Sequence, residues 1–588
     1  MHFNPTYHPY SSFQTPVFAK NGMVATSQPL ASQAGLDILK QGGNAIDAAI
    51  ATAACLTVLE PTSNGIGGDA FALVWVKDQL YGLNGSGPSP QSISIEALKA
   101  LGHERIPQFG WTPVTVPGAP ASWAALSERF GTLPLIDVLQ PAIQYAEEGY
   151  PVSPVLSKYW EEAYESYKTQ LTDKQFHPWF DTFAPKGRAP KAGEIWRSPD
   201  HASTLRLIGE TNAESFYLGE LAAKIIAFSK LNNGFLDFVD LQTYKPEWVD
   251  PIKVNYRGYD VWEIPPNGQG LIALMALNIL DKFEIKEKEN LDTYHMQIEA
   301  MKLAFADGQQ YITEHDKMPL SVDQLLSSAY AIERGRLITD KAQLPECGSP
   351  AYSGTVYLAT ADDQGNMVSF IQSNYKAFGS GLVVPGTGIA LQNRGYNFSL
   401  DPNHANRLEP GKRTYHTIIP GFLTKDNKAV GPFGVMGGFM QPQGHLQVLM
   451  NTIDFGLHPQ AALDSPRWQW IDNNTVEVEQ TFPNHIAEAL IRKGHNVKVN
   501  LDYGNFGRGK LSGKIQKAVS YAGDQNQEPT DLWPPGKKCA HDTRFYLNLR
   551  VMGSTNSKLH PTPIIITTNN IKNKKRTLSN RLGYKYCA

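Results

Sequence analysis

The sequence predicts an α+β protein in which antiparallel β-sheets are covered by helices. A hairpin pattern at 353–370 is the first observation, because two runs of alternating apolar residues flank a turn-forming segment at 362–366. Long helical patterns at 30–41 and 268–283 are the second. Strands and helices fall into separate runs more than they alternate, and this order favours antiparallel sheets with helical covers.

Bulk composition indicates an ordinary globular protein. The chain has 588 residues, of which 41% are hydrophobic and 19% charged, enough for one large domain or several smaller ones. A formal net charge of -3 gives no reason to expect nucleic acid or an anionic membrane as a partner. The cysteines lack the spacing of a metal site or a disulfide framework, which predicts a reducing compartment: Cys55, Cys347, Cys539 and Cys587.

The sequence shows neither a secretion signal nor a membrane span. Residues 1–10 have no basic or apolar region of a signal peptide. The longest apolar run, 45–59, contains Asp47 and is shorter than the roughly 20 residues that a span needs. We therefore expect a soluble, cytoplasmic protein.

Two consecutive helices are predicted near the start of the chain. The helix at 30–41 ends at Gly42 and Gly43, which suit a C-cap. Asn44 is then a predicted N-cap with Asp47 three residues later. The helix that follows is rich in alanine, which indicates close packing on every side and hence burial.

A glycine-rich segment leads into the first long strand. Gly65, Gly67 and Gly68 resemble a phosphate cradle in composition, but they precede the strand at 70–76 instead of following a strand and opening a helix. The order favours a tight turn with close backbone packing over nucleotide binding.

Further periodic segments complete the predicted order of elements. Residues 151–200 are polar and aromatic, and we expect them to form a helical excursion on the surface. The remaining predictions are a strand near 111 followed by helices around 126 and 142, helices at 205–231, 294–307, 444–454 and 485–493, and a strand at 258–264.

The composition changes beyond about residue 524. No acidic residue follows Asp542, and a basic cluster lies among Asn, Ser and Thr: Lys572, Lys574, Lys575 and Arg576. Such a cluster can bind an anionic surface or belong to a solvated tail. We predict that 525–588 is an atypical, poorly ordered basic tail.

Short motifs follow one another in a recognisable order along most of the chain. They lie at 42–49, 60–61, 65–68, 116–118, 130–134, 141–142, 147–149, 378–381, 410–413 and 437–438. In these blocks the sequence resembles the gamma-glutamyltransferase (gamma-glutamyltranspeptidase, glutathione hydrolase) family, from about Met23 to Gly509.

The resemblance implies a four-layer αββα sandwich of the N-terminal-nucleophile hydrolase type. It also implies a precursor that cuts itself between Gly354 and Thr355. The large part, 1–354, and the small part, 355–524, would remain one folded unit. Further oligomerisation is open, and neither a cofactor nor a metal is expected.

The predicted chemistry depends on Thr355. A hydroxyl is a poor nucleophile at neutral pH and needs a base. In the precursor, the Thr355 hydroxyl would attack the Gly354 carbonyl, and hydrolysis of the resulting ester would free the Thr355 amine. Its pKa, about 7.7–8.0 in reference compounds, suits a general base. By itself, a threonine at the head of a strand is an ordinary strand residue.

Three more residues complete the catalytic set that the resemblance implies. Ser373 lies where the family keeps a threonine hydroxyl that hydrogen-bonds the nucleophile. Gly437 and Gly438 match the glycines whose N–H groups form the oxyanion hole. Considered singly, these are ordinary surface and turn residues.

The resemblance is weakest at the substrate-binding residues. Family members place an arginine on the α-carboxylate of the gamma-glutamyl group, but 83–90 contains none. Asn397 replaces the acid that holds the α-ammonium group. His416 and Thr417 replace two serines, and Tyr375 replaces an asparagine.

Arg394 lies three residues before Asn397. It could supply the missing cation or pair with an acidic neighbour, and the sequence leaves both open.

The sequence is compatible with three functions. The first is a self-processing amidohydrolase that cleaves, and can transfer, gamma-glutamyl groups from glutathione and related small molecules through an acyl-Thr355 ester. The second is an acylase for glutaryl-like or other amides that uses the same machinery. The third is a homologue without turnover that acts as a binding protein.

Overall fold

The computed structural model describes residues 9–10, 16–344, 354–515 and 518–523. Within these ranges no helix is long and apolar enough to cross a membrane. The predicted basic tail at 525–588 lies outside the described residues.

Eighteen α-helices occur in the described part of the chain. They are α1 Pro29–Lys40, α2 Ala45–Leu59, α3 Ile95–Ala100, α4 Ala119–Phe130, α5 Leu135–Glu148, α6 Pro154–Gln170, α7 His177–Phe183, α8 Pro199–Glu210, α9 Glu214–Tyr217, α10 Glu220–Leu231, α11 Phe238–Thr243, α12 Gly270–Leu280, α13 Leu291–Tyr311, α14 Val322–Leu325, α15 Ser328–Gly335, α16 Met440–Ile453, α17 Pro459–Asp464 and α18 Asn484–Lys493.

Twenty strands accompany them in the same ranges. They are β1 Val17–Ala19, β2 Gly22–Ala25, β3 Asp69–Val76, β4 Gln79–Gly85, β5 Tyr150–Pro151, β6 Ile195–Trp196, β7 Glu247–Val249, β8 Ile252–Tyr256, β9 Tyr259–Glu263, β10 Gly354–Asp362, β11 Met367–Tyr375, β12 Val383–Val384, β13 Ile389–Ala390, β14 Gly421–Lys425, β15 Lys428–Val435, β16 Trp468–Asp472, β17 Thr475–Glu479, β18 Asn496–Asn500, β19 Gly509–Ile515 and β20 Ala518–Gly523.

Two large antiparallel sheets form the centre of the molecule. One has the strand order β2-β10-β11-β3-β4-β7, and the other has the order β1-β20-β19-β15-β14-β9-β8. A smaller sheet, β16-β17-β18, contains a parallel pair between β17 and β18. The predicted hairpin is confirmed as β10 and β11, with a turn at Gly365 in a left-handed conformation.

Alternating side chains divide the core into layers. On β3, Phe71 and Leu73 face the space between the two sheets, where they pack with Tyr357 and Phe422. Ala72, between them in sequence, belongs to the core on the opposite face, which the helices α1, α2, α4, α5 and α8 cover. Helices α12 and α16 pack on the outer face of the second sheet, and α13 and α18 belong to the same core. The fold is therefore the predicted four-layer αββα sandwich of the α+β class.

Helix α2 shows how the sequence produces this packing. Asn44 and Asp47 form a reciprocal capping box, as predicted, and every residue from Ala45 to Leu59 is buried. Its many alanines allow the helix to lie close to its neighbours, since a larger side chain would overfill the layer. The predicted buried helix is confirmed.

The glycines before β3 also have the predicted structural use. A Cβ on Gly67 would lie 2.4 Å from the Ala390 carbonyl oxygen, and one on Gly68 would lie 2.8 Å from the Ser373 carbonyl oxygen. The turn therefore has glycine where another backbone approaches closely.

Two expectations about the first half of the chain are wrong. Residues 111–118 form no strand, although the helices predicted after them are present as α4 and α5. The segment 151–200 is not a surface excursion, because its large aromatic residues are buried in the helical core: Trp160, Trp179, Phe183 and Trp196.

Candidate active site

Thr355 lies at the head of β10, on the wall of a cavity of about 420 Å³. The antiparallel ladder pairs Gly354 with Tyr375 and Val356 with Gln372, so that a register shift falls at Thr355. Only 2% of the Thr355 surface is exposed. The hairpin therefore holds the predicted nucleophile in a protected but accessible position.

Ser373 is brought to Thr355 by the same hairpin. The Thr355 hydroxyl donates to the Ser373 hydroxyl oxygen over 3.3 Å. The Tyr375 N–H donates to the same Ser373 oxygen over 2.8 Å and fixes its direction. The structure thus places these two predicted catalytic residues in direct contact.

Gly437 and Gly438 follow β15 in a sharp turn. Both have positive φ angles, 124° and 62°, which glycine adopts without strain. Gly437 lies on the wall of the cavity that Thr355 lines. Neither amide N–H donates to any part of the chain that the structure describes. The turn therefore has two amide donors without a partner in the described chain, one of them on the cavity wall that Thr355 also lines, and the predicted oxyanion hole stays a prediction.

Gln269, which precedes α12, supports this turn. Its side-chain amide donates to the Gly438 carbonyl over 2.8 Å and to the Thr417 carbonyl over 2.6 Å. The Tyr415 hydroxyl donates to the Gln269 side-chain oxygen over 2.8 Å. Nothing in the sequence distinguished Gln269, because its partners are all distant along the chain.

Arg394 lies behind Tyr375 with 1% of its surface exposed. It donates to the Thr417 hydroxyl over 2.8 Å, and its guanidinium carbon lies 4.3 Å from the centre of the Tyr375 ring. Its Nε is 4.0 Å from an oxygen of Asp69. Of the two possibilities that the sequence left open, the structure shows an acidic neighbour for Arg394, which is Asp69.

Asp69 and His416 form a second buried contact in this region. The Ile418 N–H donates to His416 Nδ1, so His416 Nε2 carries the proton that is donated to Asp69 over 3.0 Å. Burial raises the pKa of Asp69 to about 7, although nearby Arg394 opposes the shift. Burial, reinforced by the Arg394 charge, holds the pKa of His416 well below its usual value.

The predicted substrate-binding residues are only partly assembled. Tyr375, Arg394, His416 and Thr417 are buried together, whereas Asn397 donates separately to the Tyr415 carbonyl over 3.0 Å. None of the five lines the cavity that contains Thr355. Their role in substrate binding stays a prediction.

Helix α6 supplies a wall of the cavity that sequence reasoning missed. Tyr159, Ala163 and Tyr167, spaced four residues apart on one face of the helix, all line the cavity with Phe109. The buried aromatic residues of 154–183 could have indicated a packed segment, but not its position beside Thr355.

Two cations lie on the cavity wall. Arg508 is paired with Glu60 at 2.6 Å. Lys376, three residues after Ser373, is half-buried and has aromatic neighbours.

One group of described residues has the composition of a metal site. His295, Glu299 and His495 are buried, with their ligand atoms within 4.8 Å of one another. However, His295 Nδ1 and His495 Nε2 already hydrogen-bond over 2.8 Å, and the Lys302 ammonium lies 2.7 Å from Glu299. These contacts join the three side chains to one another and to Lys302.

Comparison with known proteins agrees with this geometry. A family model described as gamma-glutamyltranspeptidase matches residues 31–528. The "Glutathione hydrolase-like YwrD proenzyme" of Bacillus subtilis (strain 168) is 38% identical over 500 residues, which cover 83% of this chain and 93% of that protein. The "Acylase ACY 1 proenzyme" of Pseudomonas sp. (strain V22) is 32% identical over 510 residues, covering 84% and 90%.

A solved structure extends the comparison to the fold. The cephalosporin acylase from Bacillus halodurans has a TM-score of 0.86 and 64% sequence identity, and the match covers 90% of this chain and 98% of that one. Together with the αββα sandwich, these similarities show that the chain is a hydrolytic enzyme of the gamma-glutamyltranspeptidase family.

Proposed function

We propose that this protein is a self-processing acylase that hydrolyses amides of glutaryl-like acyl groups, which carry a carboxylate but no α-ammonium group. The residue at the ammonium-binding position carries the proposal. Asn397 is neutral there, and its amide group already donates to the Tyr415 carbonyl. At this position an α-ammonium group would have no carboxylate to balance its charge, at a cost in desolvation.

Asp69 does not compensate for this loss. It is fully buried, hydrogen-bonded to His416, and absent from the cavity wall. Its raised pKa, about 7, further weakens it as a partner for an ammonium group near neutral pH.

Self-processing would begin with the contact between Thr355 and Ser373. The Thr355 oxygen attacks the Gly354 carbonyl carbon, the peptide bond breaks, and the chain passes through an ester. Water then hydrolyses the ester, which releases the Gly354 carboxylate and leaves Thr355 with a free amine.

Turnover would use the same atoms. The Thr355 amine accepts the proton of its own hydroxyl as the oxygen attacks the substrate amide. The Gly437 and Gly438 amides would stabilise the oxyanion, and the leaving amine takes the proton. Water then attacks the acyl-Thr355 ester and releases the acid.

The names of the similar proteins support this choice. Two of them are acylases, and one is described only as glutathione hydrolase-like. Both curated relatives are named as proenzymes, which agrees with a precursor that must be cut.

A Thr355→Ala variant tests the nucleophile. We expect wild-type protein to give two bands on a denaturing gel and the variant to give one band near 64.9 kDa. N-terminal sequencing of the smaller wild-type fragment should begin at Thr355. Thr243→Ala, on the exposed end of α11, is a matched control that should be cut normally. A Thr355→Ala protein that still separates into two fragments would contradict the assignment.

Paired anilides test the acyl group. Purified, processed enzyme is compared on glutaryl- and gamma-glutamyl-p-nitroanilide, which differ only in the α-ammonium group. We expect kcat/KM to be at least about tenfold higher for the glutaryl compound, because one unbalanced charge costs this much or more. A preference for the gamma-glutamyl anilide would overturn the acyl specificity and leave the Thr355 chemistry in place.

A further inference from the structure

Lys376 is a cation on the wall of the cavity that holds Thr355. It follows Tyr375, the ladder partner of Gly354, so its backbone starts about one strand spacing from the bond to be cut. Thr355 and Lys376 line the same cavity, so an acyl chain on Thr355 can extend along the wall towards the lysine stem.

No carboxylate of the described residues forms an ion pair with Lys376. Its ammonium group lies 4.6 Å from the centre of the Tyr396 ring and 5.7 Å from that of Tyr375. Burial lowers its pKa, and aromatic faces balance a positive charge only in part. An anion entering the cavity would therefore gain a strong partner without having to displace one.

The backbone around Lys376 is held in an uncommon conformation. Tyr375 and Ala377 both have positive φ angles, 76° and 44°, which non-glycine residues seldom adopt. The Lys376 N–H donates to the Asn393 side chain over 3.1 Å, and its carbonyl accepts from the Gly379 N–H over 2.7 Å. Such strain persists where the surrounding structure fixes it, and it is concentrated at functional sites.

The other two cations near the cavity are already engaged. Arg508 is paired with Glu60 at 2.6 Å. Arg394 is 1% exposed, donates to Thr417, and is absent from the cavity wall. Among the lining residues that the structure describes, Lys376 is the cation without an anionic neighbour.

We propose that Lys376 is the specificity-determining residue that receives the distal carboxylate of the acyl group. This assignment rests on the proposed function and names the residue that recognises its substrate class. It replaces Arg394, which the sequence suggested, with a cation that faces the cavity.

The test compares Lys376→Gln with wild type, both as processed enzyme, on two anilides that share a leaving group. Glutaryl-p-nitroanilide has the carboxylate, and pentanoyl-p-nitroanilide has a methyl group in its place. We expect the variant to lose about 10- to 100-fold in kcat/KM for the glutaryl compound. For the pentanoyl compound, the change should be less than about threefold.

Two further variants separate charge from structure. Lys376→Arg should restore most of the glutaryl activity, because it restores a cation at the same place. Lys224→Gln, on the exposed face of α10, should behave as wild type on both anilides. An equal loss on both anilides in Lys376→Gln would overturn the assignment, since it would indicate a general structural defect.

A second leaving group distinguishes the two ends of the substrate. With a 3-carboxy-4-nitroanilide of pentanoic acid, the carboxylate lies on the amine side. If Lys376→Gln lowers activity on this compound and not on glutaryl-p-nitroanilide, Lys376 binds the leaving group and the assignment is wrong.

The assignment can fail independently of the proposed function. If gamma-glutamyl-p-nitroanilide is the better substrate, a selective loss on it in Lys376→Gln still supports Lys376, because that acyl group also ends in a carboxylate. If no anilide is cleaved, calorimetry of glutarate binding to the processed protein decides. Binding at least tenfold weaker in Lys376→Gln supports the assignment, and unchanged binding contradicts it.

Discussion

At the scale of single residues, a fully buried ionisable cluster lies behind the candidate site. Asp69, Arg394 and His416 are each at most 1% exposed and lie within 4.0 Å of a partner in the cluster. Burial disfavours the charged form of every member, so it raises the pKa of Asp69 to about 7 and lowers that of Arg394 to about 10. Asp69 therefore gains or loses its proton near neutral pH, where an exposed aspartate stays ionised.

We predict that the difference in stability between the parent protein and an Asp69→Asn variant depends on pH. The pKa of Asp69 is raised, so the folded state binds the proton more tightly than the unfolded state does. The stabilisation that protonated Asp69 gives the folded state is complete below about pH 4 and is lost as the pH rises to about 7. Asp69→Asn cannot ionise, so its melting temperature relative to the parent should rise across this range.

The measurement is thermal unfolding between pH 4.5 and 7.5, with Thr355→Ala as the parent chain so that cleavage does not interfere. Other titrating groups are common to both proteins and cancel in the difference. A difference that stays constant, or that changes in the opposite direction, would show that Asp69 is ionised throughout.

At the scale of elements, the start of α12 supports the turn at Gly437 and Gly438. Gln269 ends the segment before the helix and fixes the carbonyl groups of Gly438 and Thr417. A bridge between Gly268 and His416 joins the same two segments. The position of the amide donors at the turn after β15 therefore depends on a helix from the other side of the proposed cut.

Gln269→Met should lower kcat about 10- to 100-fold with a smaller change in KM, because the Gly438 turn loses its support while the cavity wall stays intact. Two buried carbonyl groups also lose a donor, which should cost about 1–3 kcal/mol in stability. Gln447→Met removes a comparable pair of bonds, to the carbonyl groups of Gln443 and Trp468. This control should lose stability without losing kcat, and equal kcat losses would contradict the role of Gln269.

Elements with a local signal could be predicted from the sequence. The capping box of Asn44 and Asp47, the alanines of α2, and the turn around Gly365 each act within a few residues. The motif order then singled out Thr355 and Ser373, whose hydroxyl groups the structure places in contact. These predictions needed no knowledge of distant contacts.

Features that depend on distant partners could not be predicted in this way. The sequence showed that Arg394 is a cation but not that Asp69, more than 300 residues earlier, would face it. In the same way, the polar composition of 151–200 gave no sign that one face of α6 is buried or that α6 lines the cavity. Lys376 was missed because its importance lies in having no carboxylate beside it among the described residues.

At the scale of the whole molecule, the proposed cut does not separate two domains. Strands β10 and β11, which follow it, lie between β2 and β3, which precede it. In the second sheet, β14 pairs with β9 across the same division. Each large sheet therefore contains strands from both parts, so neither part can keep its core without the other.

Side-chain contacts cross the division as well. The buried side chains of His295 and His495 hydrogen-bond each other over 2.8 Å, and Lys302, on α13, donates to the Asn474 side chain over 2.9 Å. Buried contacts of this kind are lost only when the surrounding core opens.

We therefore expect processed protein to elute from a size-exclusion column as one species that contains both fragments in equal amounts. Dilution should not separate them, because the interface is the core of two sheets and not a surface contact. Separation should need denaturant, and it should coincide with loss of the far-ultraviolet circular dichroism signal. Thr355→Ala, as an uncut chain, gives the reference elution volume. A small fragment that elutes alone in native buffer, with its secondary structure intact, would show that the two parts are independent domains.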